Sequence, residues 1–137
     1  MADLTIVAAD VRIVHIVEMM PDGPANEALA AGEVVRLDTT TGYYTPANGT
    51  AAGEARPVGI AVNSATQAND TISVIRKGIL DVGDALDALA YDLALYNSDT
   101  DGLIGSAAGD STVDNIIGRV VAGWGDTAGD KLLLVDL

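Results

Sequence analysis

Residues Val11–Met20 read VRIVHIVEMM, an aliphatic and β-branched run that predicts a long strand. Because successive side chains of a strand point to opposite faces, strict alternation assigns Val11, Ile13, His15, Val17 and Met19 to one face and Arg12, Val14, Ile16, Glu18 and Met20 to the other. Both faces would then be substantially apolar. Such a strand is expected to be covered on both sides, either inside a two-layer fold or at a boundary between subunits.

The rest of the chain repeats this pattern in shorter form. Alternating or β-branched runs are separated by clusters of Gly, Asp, Asn, Thr and Pro at the spacing of an all-β domain. The further predicted strands are Leu4–Val7, Glu33–Asp38, Val58–Asn63, Thr71–Arg76, Leu93–Tyr96, Asn115–Ala122 and Lys131–Asp136. We therefore predict a mainly β fold, a small β-barrel or β-tulip-like single domain that spans residues 1–137.

At most one or two short helices are expected within this fold. Pro24 suits the first turn of a helix that would run to Ala31 and end at Gly32. A loop is an equal alternative there, because so short a helix is marginal without packing. Asp84 would cap a second helix over Ala85–Ala90.

The composition predicts an aliphatic core and narrows the range of partners. A chain of 137 residues can form one core, and with no Phe its apolar share of 49% consists mostly of Ala, Val, Ile and Leu. Without cysteine, neither a disulfide nor a thiolate metal site can form. The formal net charge of −13 repels nucleic acid and anionic lipid. No stretch has the length of a transmembrane helix or the pattern of a signal peptide, so we expect a soluble cytosolic product.

The residue inventory argues against catalysis. His15 is the only histidine, which excludes histidine-based triads and multi-histidine metal sites and favours a core or interface role for this residue. The glycines form no phosphate-binding motif. Asp10, Glu18, Asp81, Asp84 and Asp87 show no marked carboxylate pair, and among 20 acidic residues such groups are typical of a solvated surface. The sequence therefore predicts a protein that is not an enzyme.

The segment Asn97–Gly102, which reads NSDTDG, is similar to the first half of a calcium-binding loop. Oxygen donors occupy alternate positions and Gly stands at the sixth. The match fails at the twelfth position, where Ala108 replaces the bidentate Glu. We therefore favour a plain acidic turn and expect no metal and no cofactor.

An ordered set of sequence blocks from about residue 30 onward resembles the tailed-phage capsid decoration (cement) protein family, of the head-stabilising type. The blocks are Ala31–Asp38, Thr41–Gly42, Pro57–Ala61, Arg76–Gly83, Tyr91, Leu95–Gly102, Ile117–Val120 and Leu132–Leu137. Each block alone is only weakly specific for the family, whereas the whole set in this order is moderately specific. The resemblance implies a β-rich subunit, made in the host cytoplasm, that binds the major capsid protein on the outer surface of the completed virion shell.

The resemblance also implies a homo-oligomer, a trimer near the three-fold positions of the shell, and no catalytic residues. An alternative function is a carbohydrate- or calcium-binding β-module, in which Trp124 would stack on a sugar and Asn97–Gly102 would hold the ion. A carrier or barrel-sandwich domain ranks last. The residue pattern of Gly78–Leu86 is typical of such a domain, but no lysine lies between apolar neighbours at a hairpin tip.

Two groups of residues are candidates for protein contacts. In the N-terminal segment, Leu4, Ile6 and Val7 are expected to pack against the coat, with residues 1–10 as a flexible arm; the alternative is that Leu4–Val7 forms the first strand of the subunit's own sheet. The candidates for the oligomer interface are Ile13, His15, Val17 and Trp124. Burial of Trp124 in the core is the alternative for that residue.

Overall fold

The computed structural model describes residues 3–51, 53–107, 112, 115–123 and 131–137. The fold is mainly β, with 45% of residues in strands, and it forms a single domain, as predicted. The only helical turn in these ranges is a 3-10 turn at Ala8–Asp10. The strands are β1 Val11–Met19, β2 Gly23–Pro24, β3 Val34–Leu37, β4 Tyr44–Pro46, β5 Gly59–Ala61, β6 Thr71–Ile72, β7 Val74–Val82, β8 Ala94–Asn97, β9 Ile104–Gly105, β10 Ile116–Ala122 and β11 Lys131–Asp136.

Nine of these strands form one antiparallel sheet that curls into a half-barrel. Eight of them follow the order β4-β3-β5-β7-β11-β10-β8-β9, and β2 pairs separately with β6. Strand β7 is the junction of the large sheet. Its Ile75 pairs with β5 and its Leu80 with β11, while both residues also pair with β1. Strands β5 and β11 therefore share one edge of β7, and β1 occupies the other.

A loop, and not a strand, joins the two ends of the curled sheet. In this loop Gly102 accepts a backbone hydrogen bond from Val34 (2.9 Å) and donates one to Ala47 (2.8 Å). Gly49 also donates to Ser98 (2.8 Å). Gly102 has a φ of +74°, a conformation that favours glycine. The turn after β8 thus ties the β8–β9 end of the sheet to the β3–β4 end.

The core is aliphatic, as the composition predicts. Its larger cluster lies inside the curl and includes the fully buried Ile60, Leu95 and Leu133. A second cluster surrounds Ile72, where the hydroxyl of Tyr44 donates to the carbonyl of Pro21 at 2.6 Å. Burying a side chain of this size contributes roughly 1.5–3 kcal/mol, so these clusters account for much of the stability.

Neither candidate helix forms. For the first segment the non-helical alternative is correct, because long-range pairing overrides local propensity there. Ala25 donates to Asp70 (2.8 Å), and Leu29 exchanges two backbone hydrogen bonds with Ala65, which holds the first segment extended. Ala25 and Leu29 are buried in the second cluster, so their packing favours that conformation. Residues 84–89 form successive turns in place of the second helix.

The strand predictions are correct in position for seven of the eight segments, but their bounds differ from the observed ones. The predicted strand Thr71–Arg76 covers both β6 and the start of β7, and the predicted Val58–Asn63 is longer than β5. Strand β7 continues to Val82, well past the predicted end at Arg76. Leu4–Val7 is not a strand, although Asp3 forms an isolated bridge with Gly105. The short strands β2, β4 and β9 were not predicted, because strands of two or three residues depend on partners that are distant in sequence.

Candidate interaction surfaces

Strand β1 pairs with β7 along its whole length, but its side chains do not alternate strictly. Three residues, Arg12, His15 and Glu18, lie opposite Asp81, Ile79 and Lys77 of β7. These β7 positions are two residues apart, so all three β1 side chains share one face of the sheet. Similarly, Val11, Ile13 and Ile16 lie opposite Val82, Leu80 and Gly78, on the other face.

Val14 and Val17 have no opposite residue on β7, because the register shifts at both positions. Each is the extra residue of an irregularity of the β-bulge kind, which moves the following side chain to the other face. The predicted face assignment is therefore wrong for His15, which lies on the face of Arg12, and for Ile16, which lies on the face of Ile13. Glu18 lies on the face of Arg12, as predicted, because the second bulge reverses the effect of the first.

The apolar side chains of β1 are largely exposed. The exposed fractions are 65% for Val17, 51% for Ile16, 50% for Val14 and 39% for Ile13. His15 is exposed as well. Within the described ranges, no strand pairs with the edge of β1 that faces away from β7, which we call the outer edge. The interior of a two-layer fold is thus excluded for this strand, and its place at a subunit boundary stays a prediction.

Two ion pairs connect the ends of β1 to β7. Arg12 contacts Asp81 at 2.5 Å, and Glu18 contacts Arg76 at 3.6 Å. Burial raises the pKa of Asp81, but hydrogen bonds from Arg12 and from the backbone N–H of Gly83, together with the charge of Arg12, lower that pKa overall. The side chains of Arg12 and Glu18 remain 76% and 46% exposed, so both are within reach of a partner.

The N-terminal segment, residues 3–7, lies against the body of the domain. Leu4 donates a backbone hydrogen bond to Ile104 (2.8 Å), and Asp3 accepts one from the Ser98 hydroxyl (2.5 Å). Leu4 and Ile6 are half-buried and pack on the larger core cluster, whereas Val7 is 51% exposed. The segment thus contacts the subunit's own sheet, but the alternative that Leu4–Val7 forms the first strand of that sheet is wrong.

A small cleft lies beside this segment. It has a volume of about 80 Å³ and is lined by Leu4, Ile6, residues 30–33 and residues 102–104. Small-molecule sites usually enclose roughly 300–1,000 Å³. Burial raises the pKa of Glu33 in this cleft, a hydrogen bond from the Ala30 backbone lowers it, and the charges of Glu27 and Asp101 raise it further, so that the net shift is upward.

The acidic side chains of the turn Asn97–Gly102 are directed to separate protein partners. Asp99 accepts hydrogen bonds from the backbone and hydroxyl of Thr112 (both 2.7 Å). Asp101 accepts one from the amide of Asn48 (2.7 Å). Asn97 is fully buried, and its side-chain amide has no hydrogen-bond partner within the part of the chain that the structure describes. This turn is therefore organised as a structural connection between the sheet ends.

The described residues contain no group of three or more His, Cys, Asp or Glu side chains that could hold a metal ion. The described part of the fold also has no helix with the length and hydropathy needed to cross a membrane. Trp124, the fourth predicted interface residue, lies outside the described residues.

Sequence reasoning missed two features of the β1 surface. It named Ile13, His15 and Val17 but left out Val14 and Ile16, which are equally aliphatic and more exposed than Ile13. It also gave Gly78 no role, although a glycine inside a strand often marks a bulge or a close backbone approach. A Cβ at Gly78 would overlap the carbonyl oxygen of His15, so glycine is required where β1 crosses this position.

The comparisons with known proteins found no matching family model, no matching curated protein and no matching solved structure. The fold and its surface define the chain as a mainly β half-barrel with an open aliphatic edge strand.

Proposed function

We propose that this chain is a structural decoration (cement) protein, which binds the outer surface of an assembled tailed-phage head and stabilises it. The observation that carries the proposal is the open β1 edge, where four aliphatic side chains are at least 39% exposed. A long aliphatic edge strand is a surface for association with another chain. The partners would be the major capsid protein and further copies of this subunit, which the resemblance suggests form a trimer.

The position of the resembling blocks supports the proposal. Six of them overlap strands of the large sheet, namely β3, β5, β7, β8, β10 and β11. These strands build the half-barrel, whereas β1 and the N-terminal segment lie outside the blocks. This is the distribution expected if related subunits share a framework and differ in the surfaces that meet their particular shells.

The charge and the fold suit a subunit that acts by adding interface. A net charge of −13 keeps an abundant exterior protein soluble. Each subunit would bury surface across several coat subunits at once, so that individually modest contacts add through avidity. Internal pressure would then have to break more interface before the shell opens.

Within the N-terminal segment, Val7 is the residue available for the capsid contact. Leu4 and Ile6 pack against the domain, so they would hold the segment in place while Val7 meets the coat. Deleting residues 1–9 would therefore remove core packing together with any contact, and we expect it to lower stability. Substitution of Val7 alone separates the two effects.

The test is binding to a panel of expanded, undecorated tailed-phage heads. We expect stoichiometric binding to one or more heads of the panel and a higher melting temperature of those heads. Val7→Ser should weaken binding about tenfold, because burial of one Val is worth about 1.5 kcal/mol. Leu37→Ser, at a residue that is 42% exposed on β3, is the matched control and should bind normally. Absence of binding across the panel would disprove the proposed function.

The same protein tests the calcium alternative and the expected absence of a metal requirement. EDTA should leave the melting temperature unchanged, because Asp99 and Asp101 are engaged by Thr112 and Asn48. A bound ion at 100 times its Kd would add about 2.7 kcal/mol to the free energy of unfolding. A clear loss of melting temperature with EDTA that calcium restores would favour the ion-binding module.

A further inference from the structure

The sequence of β1 is self-complementary about His15. Arg12 and Glu18 lie three residues on either side of His15 and carry opposite charges. Ile13 matches Val17, and Val14 matches Ile16, as aliphatic pairs at two residues and one residue from the centre. If two copies of β1 ran antiparallel with His15 opposite His15, every one of these matched residues would face its counterpart.

The faces of β1 agree with this register. Residues directly opposite in an antiparallel pair share a face of the sheet. Arg12, His15 and Glu18 share one face, because they lie opposite β7 residues two positions apart. Arg12 of one copy and Glu18 of the other would therefore lie on the same side of the combined sheet, close enough to form an ion pair. The two-fold symmetry produces this pair twice.

We propose that the outer edge of β1 pairs with the outer edge of β1 in a second copy of this chain, antiparallel and with a two-fold axis at His15. The two half-barrel sheets then become continuous across the contact. This inference does not rest on the proposed function, because edge pairing would occur whatever the subunit binds. A three-fold contact would then need a surface other than the outer edge of β1.

Charge complementarity favours a second copy over an unrelated strand. Any extended peptide could bond to the β1 backbone, but the placement of Arg12 and Glu18 at equal distances from His15 specifically suits pairing with itself. Their present contacts with Asp81 and Arg76 would become part of a larger network. A two-fold contact closes at two copies, so pairing of this kind leaves no β1 edge open for further chains.

Introduced cysteines test the contact and its register directly, since the chain has none of its own. Opposite Cβ atoms lie about 4.5–5.5 Å apart, near the roughly 3.5–4.5 Å of a disulfide. His15→Cys should therefore give a covalent dimer under mild oxidation. Thr66→Cys, at an exposed turn away from β1, is the control and should form no covalent dimer at the same concentration. His15 is exposed, so the substitution leaves the core intact.

The register has a stricter test. Arg12→Cys mixed with Glu18→Cys should crosslink, whereas either variant alone should not, because its two cysteines would lie about 20 Å apart along the strands. Without cysteines, Arg12→Glu should weaken self-association about tenfold, as two attractive pairs become repulsive. The double swap with Glu18→Arg should restore it, although Glu at position 12 faces Asp81 within its own chain.

The outcomes separate this inference from the proposed function. A chain that stays monomeric at all concentrations, or forms trimers in which His15→Cys does not crosslink, overturns the β1 pairing without affecting capsid binding. Crosslinking of His15→Cys with a coat protein in place of a second copy also overturns it. Efficient dimer crosslinking together with failure to bind any head would leave the pairing standing and reject the decoration function.

Discussion

Strands β1 and β7 are neighbours of equal length and similar aliphatic character, yet they have opposite environments. In β7, Ile75 and Leu80 have no exposed surface, whereas in β1 both Ile16 and Val17 are more than half exposed. The difference follows from what covers the faces: Ile75 and Leu80 lie in the larger core cluster inside the curl, whereas Met19 is the only residue of β1 that packs against that cluster. Aliphatic composition therefore indicates a strand, while the coverage of its faces decides how much of it is buried.

This difference also divides the roles of the two strands. Side chains of β7 contribute to folding because the chain's own core covers them. The aliphatic surface of β1 is still in contact with solvent after folding, so its burial remains available to stabilise an association. The same kind of sequence thus serves stability in one strand and a prospective interface in the next.

Replacement of one aliphatic residue in each strand should show the largest contrast. Leu80→Ala is expected to lower the free energy of unfolding by about 2–5 kcal/mol, because it leaves a cavity in the larger core cluster. Ile16→Ala should cost less than about 1 kcal/mol in the monomer. Urea titrations at low protein concentration measure both. If the chain self-associates through β1 as proposed, only the cost of Ile16→Ala should increase at higher concentration. Equal costs at low concentration would contradict the comparison.

The boundary between the strands is tested by Gly78→Ala. Gly78 has a φ of +153°, and its Cβ would overlap the His15 carbonyl oxygen, so we expect a loss of about 2–3 kcal/mol and faster hydrogen exchange in β1. Gly42→Ala is the matched control: Gly42 has a φ of +73° but no atom within 4 Å of a Cβ, so only backbone strain of about 1 kcal/mol applies. Exchange that accelerates equally in β1 and β11 would argue against a local effect.

The sequence predicts where strands form better than how they pair. Val11–Met20 identifies β1 within one residue because its β-branched residues favour extended backbone wherever they are placed. The end of β7 was missed because Lys77, Gly78 and Asp81 interrupt the aliphatic pattern. Their conformation is set by β1 and β11 on either side, which are distant in sequence.

The sequence also predicts only part of the candidate β1 surface, because it shows composition but not pairing. The apolar character of both faces of β1 is visible in the sequence, and its exposure agrees with the boundary alternative. The bulges at Val14 and Val17, which place Arg12, His15 and Glu18 together, arise from the pairing with β7 and have no local signature. For Leu4 and Ile6, the sequence could not show that Gly32 leaves room for Ile6, whose Cγ2 lies 2.7 Å from the position of a Cβ there.

The smallest expected effect concerns the ion pair between the two strands. Asp81→Asn should lower the free energy of unfolding by about 0.2–1 kcal/mol at neutral pH, since the Arg12 side chain is 76% exposed and solvent screens the pair. Asp81 has a lowered pKa in the folded protein, so its contribution is present above the pKa of the unfolded state and is lost as pH falls through the folded value. The difference between wild type and Asp81→Asn should therefore vanish in acid.

Asp136→Asn, which breaks the longer and more exposed pair with Lys77 at 3.7 Å, is the control and should have no measurable effect at either pH. Unfolding by urea at pH 7 and below pH 3 provides the comparison, and a difference for Asp81→Asn that persists in acid would show that the ion pair is not its cause.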